Sequence, residues 1–356
     1  MGSLGSRVVV ALSGGVDSAV AAARASAGRD AVAMTLRLHG AVERPSGGHG
    51  SCCAPEDIDD ARGVARQLGL PFYVLSAEDR FERHVIAPFV DAYLRGETPL
   101  PCAACNVHLK FGHLLRRALA LGARLATGHY ARVARGPDGR YRLLRARDAR
   151  RDQSYFLYGL SQEALAHVEF PVGELTKEEV RAEATRLSLR VAEKPDSQEL
   201  CFVSGDYAAF VEARVTPPAP GPVVDGSGRR LGDHRGVHRY TVGQRRGLPV
   251  IGGRPTFVRR IDAARGEIEA AFDDELARDE IEVAQASWPA GPPPSPFEAL
   301  VRVRHHHAGE VATVTPLEGA RARVRFRTPV RAPAPGQAAV FYQGDETVGG
   351  GTILPC

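Results

Sequence analysis

A short glycine-containing turn near the start of the chain constrains its fold more than any other feature. Residues 7–12 form an apolar run typical of a buried strand, S-G-G-V-D-S follows at 13–18, and an alanine-rich stretch typical of a helix comes next. Because Gly14 and Gly15 have no Cβ, the backbone can bend sharply and bring its N–H groups close to an anion. The positive end of the following helix points at the same place. This arrangement predicts a phosphate-binding loop, and a turn that only permits close packing is the alternative.

The spacing of the turn separates it from two common nucleotide-binding loops. It lacks the lysine of G-x-x-x-x-G-K-[ST] and the spacing of G-x-G-x-x-G. It resembles instead the PP-loop of the ATP pyrophosphatases, which hold the pyrophosphate of ATP while the AMP half is transferred to a substrate oxygen.

Length and charge are those of an ordinary globular protein. The chain has 356 residues, enough for two or three domains, and a formal net charge of +4. We expect a cytoplasmic protein with no membrane partner, because no apolar run approaches the roughly 20 residues that span a bilayer and the first residues do not resemble a secretory signal. Arginines cluster in the second half, which indicates either a solvated surface or a polyanionic partner. These clusters lie at 229–230, 235–239, 245–246, 259–260, 302–304 and 321–327.

The first half alternates strand and helix patterns, which predicts an α/β fold with right-handed βαβ units and a doubly wound parallel sheet. Ligands of such sheets bind beyond the carboxyl ends of the strands. The predicted strands are 8–12, 30–36, 71–75 and 124–127, and the predicted helices are 18–27, 55–68, 81–95 and 111–121.

The rest of the chain predicts two smaller domains. A helical pattern runs from 162 to 187, and a loop-rich region follows from 206 to 271. After a proline-rich break at 289–296, period-2 patterns predict a small antiparallel β-barrel. We therefore expect a PP-loop catalytic domain at 1–204, a central mixed loop and β domain at 205–285, and the barrel at 286–356.

The chain has six cysteines, at 52, 53, 102, 105, 201 and 356. They indicate reactive chemistry or metal binding, because disulfide frameworks are rare in a reducing cytosol. Cys102 and Cys105 form a C-x-x-C pair. A zinc site would need a second pair, and the adjacent cysteines at 52–53 suit tetrahedral ligation poorly. A thioredoxin-like redox pair lacks its strand–helix signature. A thiolate or persulfide carrier needs a second cysteine, for which Cys201 is a distant candidate unless it is simply a buried small residue.

The chain resembles the bacterial tRNA-specific 2-thiouridylases in a series of motifs that are in order and span most of its length. After the PP-loop these are Cys52-Cys53 with Asp57, Asp59 and Asp60, L-G-L-P-F-Y at 68–73, T-P-L-P-C-A-A-C-N at 98–106, A-T-G-H-Y-A-R at 126–132, D-Q-S-Y-F-L at 152–157, D-S-Q with C-F at 196–202, and Y-T-V-G-Q-R-R-G-L at 240–248.

This resemblance implies the transfer of sulfur to C2 of a wobble uridine in tRNA. ATP first adenylates the uracil O2, and persulfide sulfur then displaces AMP. The resemblance assigns Cys105 as the nucleophile and Cys201 as the persulfide carrier, with a sulfur donor such as a cysteine desulfurase or a sulfur-relay protein as a partner. Asp17 is a candidate ligand of the Mg²⁺ that accompanies ATP, or alternatively a helix cap. The implied ATP-binding residues are Ala11, Leu12, Ser13, Gly14, Gly15, Val16, Asp17, Ser18, Leu36 and Gly128.

The same resemblance implies contacts with the anticodon region of tRNA, whose target base must leave its stack to reach the site. The implied tRNA-binding residues are Leu100, Pro101, Cys102, His129, Arg151, Asp152, Gln153, Arg302, Arg304 and Gln337. Two positions depart from the family pattern: Leu100 stands where Asn is usual, and Arg151 where Lys is usual.

Two alternatives keep the PP-loop but change the chemistry. Cys102, Cys105 and Cys201 are enough to hold a [4Fe–4S] cluster with one open iron that binds hydrosulfide. A small-molecule ligase of the ATP-pyrophosphatase type would use the PP-loop but leave the cysteines without a role. No dedicated protein metal site is predicted in the main interpretation.

Overall fold

The computed structural model describes residues 7–38, 55–196, 200–203 and 205–355. Its α-helices are α1 (Val16–Ser26), α2 (Pro55–Gln67), α3 (Glu78–Phe81), α4 (Ala87–Leu94), α5 (Pro101–Cys105), α6 (Leu115–Ala120), α7 (Gln162–His167), α8 (Lys177–Arg186) and α9 (Tyr207–Glu212). Its first seven strands are β1 (Arg7–Ala11), β2 (Asp30–Arg37), β3 (Phe72–Ser76), β4 (Arg124–Thr127), β5 (Ala131–Arg135), β6 (Tyr141–Arg145) and β7 (Val168–Glu169). The remaining strands are β8 (Gly221–Val224), β9 (Arg230–His234), β10 (Val250–Ile251), β11 (Arg254–Pro255), β12 (Phe257–Asp262), β13 (Glu267–Ala271), β14 (Ala277–Ser287), β15 (Phe297–Arg302), β16 (Glu310–Leu317), β17 (Arg321–Arg331), β18 (Ala338–Gln343) and β19 (Glu346–Ile353).

The chain divides into two compact units. The first contains residues 1–84, 102–205 and 345–347, and the second contains residues 85–101, 206–344 and 348–356.

A parallel sheet with strand order β3-β2-β1-β4-β7 forms the centre of the first unit. The predicted parallel sheet is confirmed, and the predicted strands and helices lie close to the observed ones. In α1 the small residues Ala19, Ala21, Ala22 and Ala25 are buried, because the helix packs closely on the sheet and on α8. The strand β1 is central and fully buried from Val8 to Val10, so its carboxyl end holds the following loop rigidly.

Two stretches of π-helix interrupt the helical region of the first half. They cover Glu82–Ile86, just after α3, and Asn106–Leu114, directly after α5. A π-helix is rare and is often associated with functional sites. The second stretch begins at the residue after Cys105, so the C-x-x-C pair lies in a short α-helix that changes its geometry at the second cysteine.

The second unit holds two β structures. The first is a four-stranded sheet with order β12-β13-β8-β9, whose core includes Val223, Tyr240, Val258 and Ile268. The second is the predicted antiparallel barrel, formed by β14 to β19 and closed by pairing of β14 with β19. Its interior is aliphatic and aromatic, with Val301, Val314, Val324 and Phe341 completely buried.

Two features of the predicted organisation differ from the structure. The helical pattern at 162–187 is broken by β7 and a turn, because Val168–Glu169 pairs with β4 as an edge strand and Pro171 follows. The predicted boundary between 285 and 286 falls inside β14, which pairs with barrel strands β17 and β19.

Candidate nucleotide and cysteine site

The loop between β1 and α1 has the hydrogen bonding of a fixed cradle. The Ser18 hydroxyl donates to the Gly15 carbonyl at 2.8 Å and accepts from the Ser13 amide and the Ser13 hydroxyl, each at 3.2 Å. Both predicted serines therefore hold the loop shape. The structure also places Leu12, Val16 and Ser18 as buried residues at the carboxyl end of the central strand.

Two glycines are required at this edge of the sheet. Gly14 has a φ of +78°, and a Cβ there would lie 2.9 Å from the Asp57 carbonyl carbon and closer still to its oxygen. Gly128 follows β4, and a Cβ there would lie 2.6 Å from the Ser18 amide nitrogen. A side chain at either position would force the backbone apart, so the loop, the start of α2 and the end of β4 are packed at backbone contact. Leu36, at the end of β2, is buried.

Asp17 is held by a buried lysine rather than acting as a helix cap. The N-cap residue of α1 is Gly15. The Lys177 ammonium lies 2.7 Å from Asp17 Oδ1 and 2.9 Å from Oδ2, and the Tyr130 hydroxyl donates to Oδ1 at 2.8 Å. Lys177 is only 5% exposed. Because its charge is buried, carboxylates must compensate it.

A second carboxylate completes this charge network. Asp196 Oδ1 lies 2.7 Å from the Lys177 ammonium and 3.0 Å from Arg181 Nη2, and its Oδ2 lies 3.0 Å from Arg151 Nη1. Burial acts to raise the pKa of Asp196, but the Lys177 hydrogen bond and the charges of Lys177, Arg151 and Arg181 hold it below its ordinary value. The predicted tRNA-binding residue Arg151 therefore contacts the network that begins at the PP-loop.

Lys194 forms a separate link between α2 and the segment before Asp196. Its ammonium lies 2.6 Å from Asp57 Oδ1 and 2.6 Å from Asp60 Oδ2. Desolvation acts to lower the pKa of Lys194, but these two carboxylates raise it above its ordinary value. Since the Asp57 backbone also touches Gly14, the lysine fixes the start of α2 against the loop.

Burial disfavours the protonated form of the His129 ring. Burial, and then the nearby Lys110 charge, lower the pKa of His129 well below its ordinary value. Lys110 Nζ lies 3.4 Å from Nε2, and Thr127 Oγ1 lies 2.8 Å from Nδ1. An ammonium can only donate, so Nε2 is the acceptor and Nδ1 carries the proton. His129, predicted to bind tRNA, would therefore contact RNA without a positive charge.

The cysteines of the C-x-x-C pair have different environments. Cys102 is exposed, whereas Cys105 is 8% exposed at the end of α5. The next residue, Asn106, is buried and its amide donates to the Phe156 carbonyl at 3.0 Å, which anchors this helix end. Cys201 is half-buried.

The segment that carries Cys201 approaches the same side of the first unit. Phe202 packs edge-to-face on Phe81, with ring centroids 5.6 Å apart. Phe81 ends α3, and α3 contacts the π-helix that begins after Cys105. The chain neighbours of the two cysteines are thus connected through α3. The described residues do not include Cys52, Cys53, Cys356 or the segment 197–199.

The second unit holds the segment that precedes the C-x-x-C pair. The Gln337 side-chain amide donates to the Thr98 carbonyl at 3.0 Å and to the Pro99 carbonyl at 3.2 Å. The Thr98 backbone amide donates to the Pro335 carbonyl at 2.7 Å. Leu100 is half-buried and Pro101 is buried. Gln337, predicted to contact tRNA, therefore has both amide hydrogens engaged with the protein backbone.

Other predicted tRNA-binding residues differ in their availability. The Asp152 carboxylate is 5% exposed and accepts from the Ala146 and Ser154 amides and the Ser154 hydroxyl, so it supports the local backbone. Gln153 pairs with the Tyr130 backbone in both directions. Arg302 donates to the His305 and His307 carbonyls and fixes the loop that follows β15.

Nothing in the part of the chain that the structure describes forms a metal site. No group of three or more His, Cys, Asp or Glu side chains there is placed to hold a metal ion. The iron–sulfur alternative on Cys102, Cys105 and Cys201 stays a prediction. Likewise, no helix among the described residues has the length and apolarity required to cross a membrane.

Comparisons with known proteins cover almost the whole chain. Family models described as a tRNA methyl transferase HUP domain, a tRNA methyl transferase PRC-barrel domain and an aminomethyltransferase β-barrel domain match residues 6–205, 208–270 and 278–353. A protein of Geobacter metallireducens named tRNA-specific 2-thiouridylase MnmA is 48% identical over 98% of this chain and 96% of its own length. Proteins of the same name from Sorangium cellulosum and Moorella thermoacetica are 48% and 47% identical, over 99% and 97% of this chain and 93% and 98% of theirs.

This chain belongs to the tRNA-specific 2-thiouridylase family. A solved ammonia-dependent NAD synthetase from Campylobacter jejuni is similar at a TM-score of 0.36 with 16% identity, over 60% of this chain and 74% of that one, which is too weak to support a conclusion. Membership of the family also makes the protein a nucleotide-binding transferase that acts in tRNA modification.

Sequence reasoning missed the lysine at the centre of the charge network. Lys177 is the first residue of α8 and lies inside the capping box formed by Thr176 and Glu179. A helix N-terminus favours acidic residues, so a lysine at this position is unfavourable unless something compensates it. That misfit is the signal in the sequence that could have identified Lys177.

Proposed function

We propose that this protein transfers sulfur to C2 of a uridine in tRNA and consumes ATP to activate the base. The observation that carries the proposal is the presence of a PP-loop and a buried C-x-x-C cysteine in one compact unit of a chain that belongs to the 2-thiouridylase family. Methyl transfer, the chemistry in the family models' descriptions, would leave both features without a role.

In the first step the uracil O2 attacks the α-phosphorus of ATP, the bond to the β-phosphate oxygen breaks, and pyrophosphate leaves. The backbone N–H groups of residues 13–18 and the positive end of α1 stabilise the phosphates. Lys177 supplies a cation at the same edge of the sheet, 2.7 Å from Asp17 in the first turn of α1. Magnesium would accompany ATP and offset its charge, with Asp17 as the candidate carboxylate nearby.

In the second step sulfur replaces the activated oxygen. The terminal sulfur of a Cys201 persulfide attacks C2 and AMP leaves with the original oxygen. The Cys105 thiolate then attacks the Cys201 sulfur, which breaks the sulfur–sulfur bond, releases 2-thiouridine and leaves a Cys105–Cys201 disulfide. A cellular thiol must reduce this disulfide, and a persulfide donor protein must recharge Cys201 before the next cycle.

The tRNA presents its anticodon region, and the target uridine leaves its stack to enter the site. Leu100, Pro101 and Cys102 are the proposed contacts for the base. Arg151 and Arg304 are exposed and are the proposed phosphate contacts among the predicted residues. Such contacts set position and salt dependence rather than sequence preference.

The proposal is tested by incubating the purified protein with ATP, Mg²⁺, a persulfide donor and unmodified tRNA. Formation of 2-thiouridine, AMP and pyrophosphate in equal amounts is the expected result. Amide or ester formation on a small molecule without any thiolated tRNA would overturn the proposal in favour of a ligase.

A further inference from the structure

Most arginines that cluster in the second half of the sequence are neutralised in the second unit. The strand β17 alternates buried residues such as Val324 with exposed arginines, and carboxylates of β14 and β15 lie beside those arginines. The pairs are Arg229–Asp225, Arg230–Asp233, Arg239–Glu212, Arg259–Glu269, Arg260–Glu269, Arg321–Glu282, Arg323–Glu282, Arg325–Glu280 and Arg327–Glu298. The alternating arginines of β17 therefore already have counter-charges at the protein surface.

Among the clustered arginines without a carboxylate partner in the described part of the chain, Arg245 and Arg246 are adjacent. Arg245 and Arg246 are both exposed, and among the residues that the structure describes neither has a carboxylate within ion-pair distance. Two neighbouring guanidinium groups without a counter-charge repel each other. A bound anion would remove that repulsion.

The loop that carries these arginines is built rigidly. The Gln244 amide donates to the Arg246 carbonyl at 2.9 Å, and the Gly243 amide donates to the Val258 carbonyl at 2.8 Å. Gly243 and Gly247 each have a φ of +86°, and a Cβ at Gly247 would lie 3.2 Å from the Tyr240 hydroxyl. The two guanidinium groups therefore extend from a fixed backbone, and less entropy is lost when they bind a partner.

The same loop is hydrogen-bonded to the segment that leads to the reactive cysteines. The Thr98 hydroxyl donates to the Thr241 hydroxyl at 3.1 Å. Thr98 is four residues before Cys102 in the chain. A polyanion held at Arg245 and Arg246 would thus be held by a loop in direct contact with the region expected to meet the target base.

We propose that Arg245 and Arg246 form a phosphate clamp for the backbone of tRNA. This inference rests on the proposed function, because it takes tRNA as the polyanion. Planar guanidinium groups bind phosphate oxygens in a bidentate manner, and each contact releases condensed counterions. The contact supplies affinity and orientation, and the chemistry is left to the first unit.

The test measures equilibrium binding of unmodified tRNA across a range of salt concentrations, without ATP. The variant R245Q/R246Q should bind roughly tenfold more weakly near physiological salt, and its slope of log K against log salt should fall by about 1 for each lost contact. The variant R323Q/R325Q is the matched control, because it removes the same charge from ion-paired positions, and it should keep the wild-type slope. The variant R245K/R246K should retain most of the slope.

Activity measurements separate binding from chemistry. In R245Q/R246Q the KM for tRNA should rise while kcat at saturating tRNA stays near wild type. The clamp alone is overturned if the wild type binds tRNA and R245Q/R246Q keeps the same slope of log K against log salt. An equal loss of tRNA affinity in R323Q/R325Q also overturns it. A wild type that binds no tRNA overturns the proposed function and the clamp together. Circular dichroism of each variant confirms that the fold is intact.

Discussion

The Gln337 side-chain amide donates a hydrogen bond to the Thr98 carbonyl at 3.0 Å, and a second one to the Pro99 carbonyl at 3.2 Å. A barrel residue thereby positions the segment just before the C-x-x-C pair. Gly336 beside it has a φ of +87°, and a Cβ there would lie 2.9 Å from the Thr98 amide nitrogen, so the turn is packed against this segment.

Replacing Gln337 by Glu should impair turnover rather than tRNA binding. The substitution keeps the shape but replaces a donor by an acceptor that faces two carbonyls. We expect kcat to fall about tenfold or more because the cysteine segment loses its position, and the free energy of unfolding to fall by about 1–2 kcal/mol. Gln343→Glu is the matched control, since the Gln343 side-chain amide donates to a single carbonyl among the described residues, that of Glu298. An increase in the KM for tRNA with unchanged kcat would instead support direct contact between Gln337 and RNA.

Replacing Lys177 by Met should remove ATP-dependent pyrophosphate release. The substitution leaves Asp17 and Asp196 without their shared cation, so we expect a loss of stability of about 2–3 kcal/mol, less than for a fully buried pair because Asp17 is partly exposed. The double variant D17N/K177M should recover part of the stability but no activity. Chemical denaturation and a pyrophosphate assay measure the two effects, and full pyrophosphate release by K177M would exclude a role for the lysine.

A methyl group at Gly14 should cost more than the same change at Gly28. Both glycines have a positive φ, +78° and +69°, but a Cβ at Gly28 has no atom within 4 Å, whereas one at Gly14 overlaps the Asp57 backbone. Gly28→Ala should therefore lower the free energy of unfolding by about 1 kcal/mol through backbone strain alone and keep activity. Gly14→Ala should destabilise further and abolish pyrophosphate release. Equal stability of the two variants would contradict the close packing of the loop on α2.

Acid should weaken the charge network around Asp196. Its pKa is held below the ordinary value of 3.8 despite burial, mainly by Lys177. The network therefore contributes stability that is fully present above the unfolded-state pKa and is lost as the pH falls through the lower folded-state pKa. Denaturation of the wild type and of Asp196→Asn at neutral pH and at about pH 3 checks this. The difference between them should shrink at acid pH, and a constant difference would show that Asp196 is not an ionised partner of Lys177.

The parallel sheet and the loop at 13–18 could be predicted because they depend on local sequence. The apolar run of β1, the small residues of α1 and the glycines each indicate one structure, and neighbouring signals agree. The barrel strands were predictable for the same reason, since buried and exposed residues alternate along β17. The very short β7 carries no comparable signal, and its pairing with β4 depends on the rest of the sheet.

The partners of charged residues could not be predicted, because they are set by distant contacts. Lys177 meets Asp17 across 160 positions, and Gln337 meets Thr98 across 239. The arginine clusters show the same limit. Arg323 and Arg245 carry the same charge. The fold alone places Glu280 and Glu282 beside Arg323.

The central claim is that the PP-loop activates the base and the cysteines then deliver sulfur. It is tested most directly by measuring pyrophosphate release and 2-thiouridine formation in one reaction, for the wild type, Cys105→Ala, Cys201→Ala and Cys102→Ala, the last of which removes a proposed base contact but neither of the two sulfur-transfer cysteines. We predict a first turnover of pyrophosphate release in all four proteins, but no 2-thiouridine from the Cys105 and Cys201 variants. Full thiolation by either of those two variants, or thiolation that depends on Cys102 as strongly as on Cys105, would contradict the account.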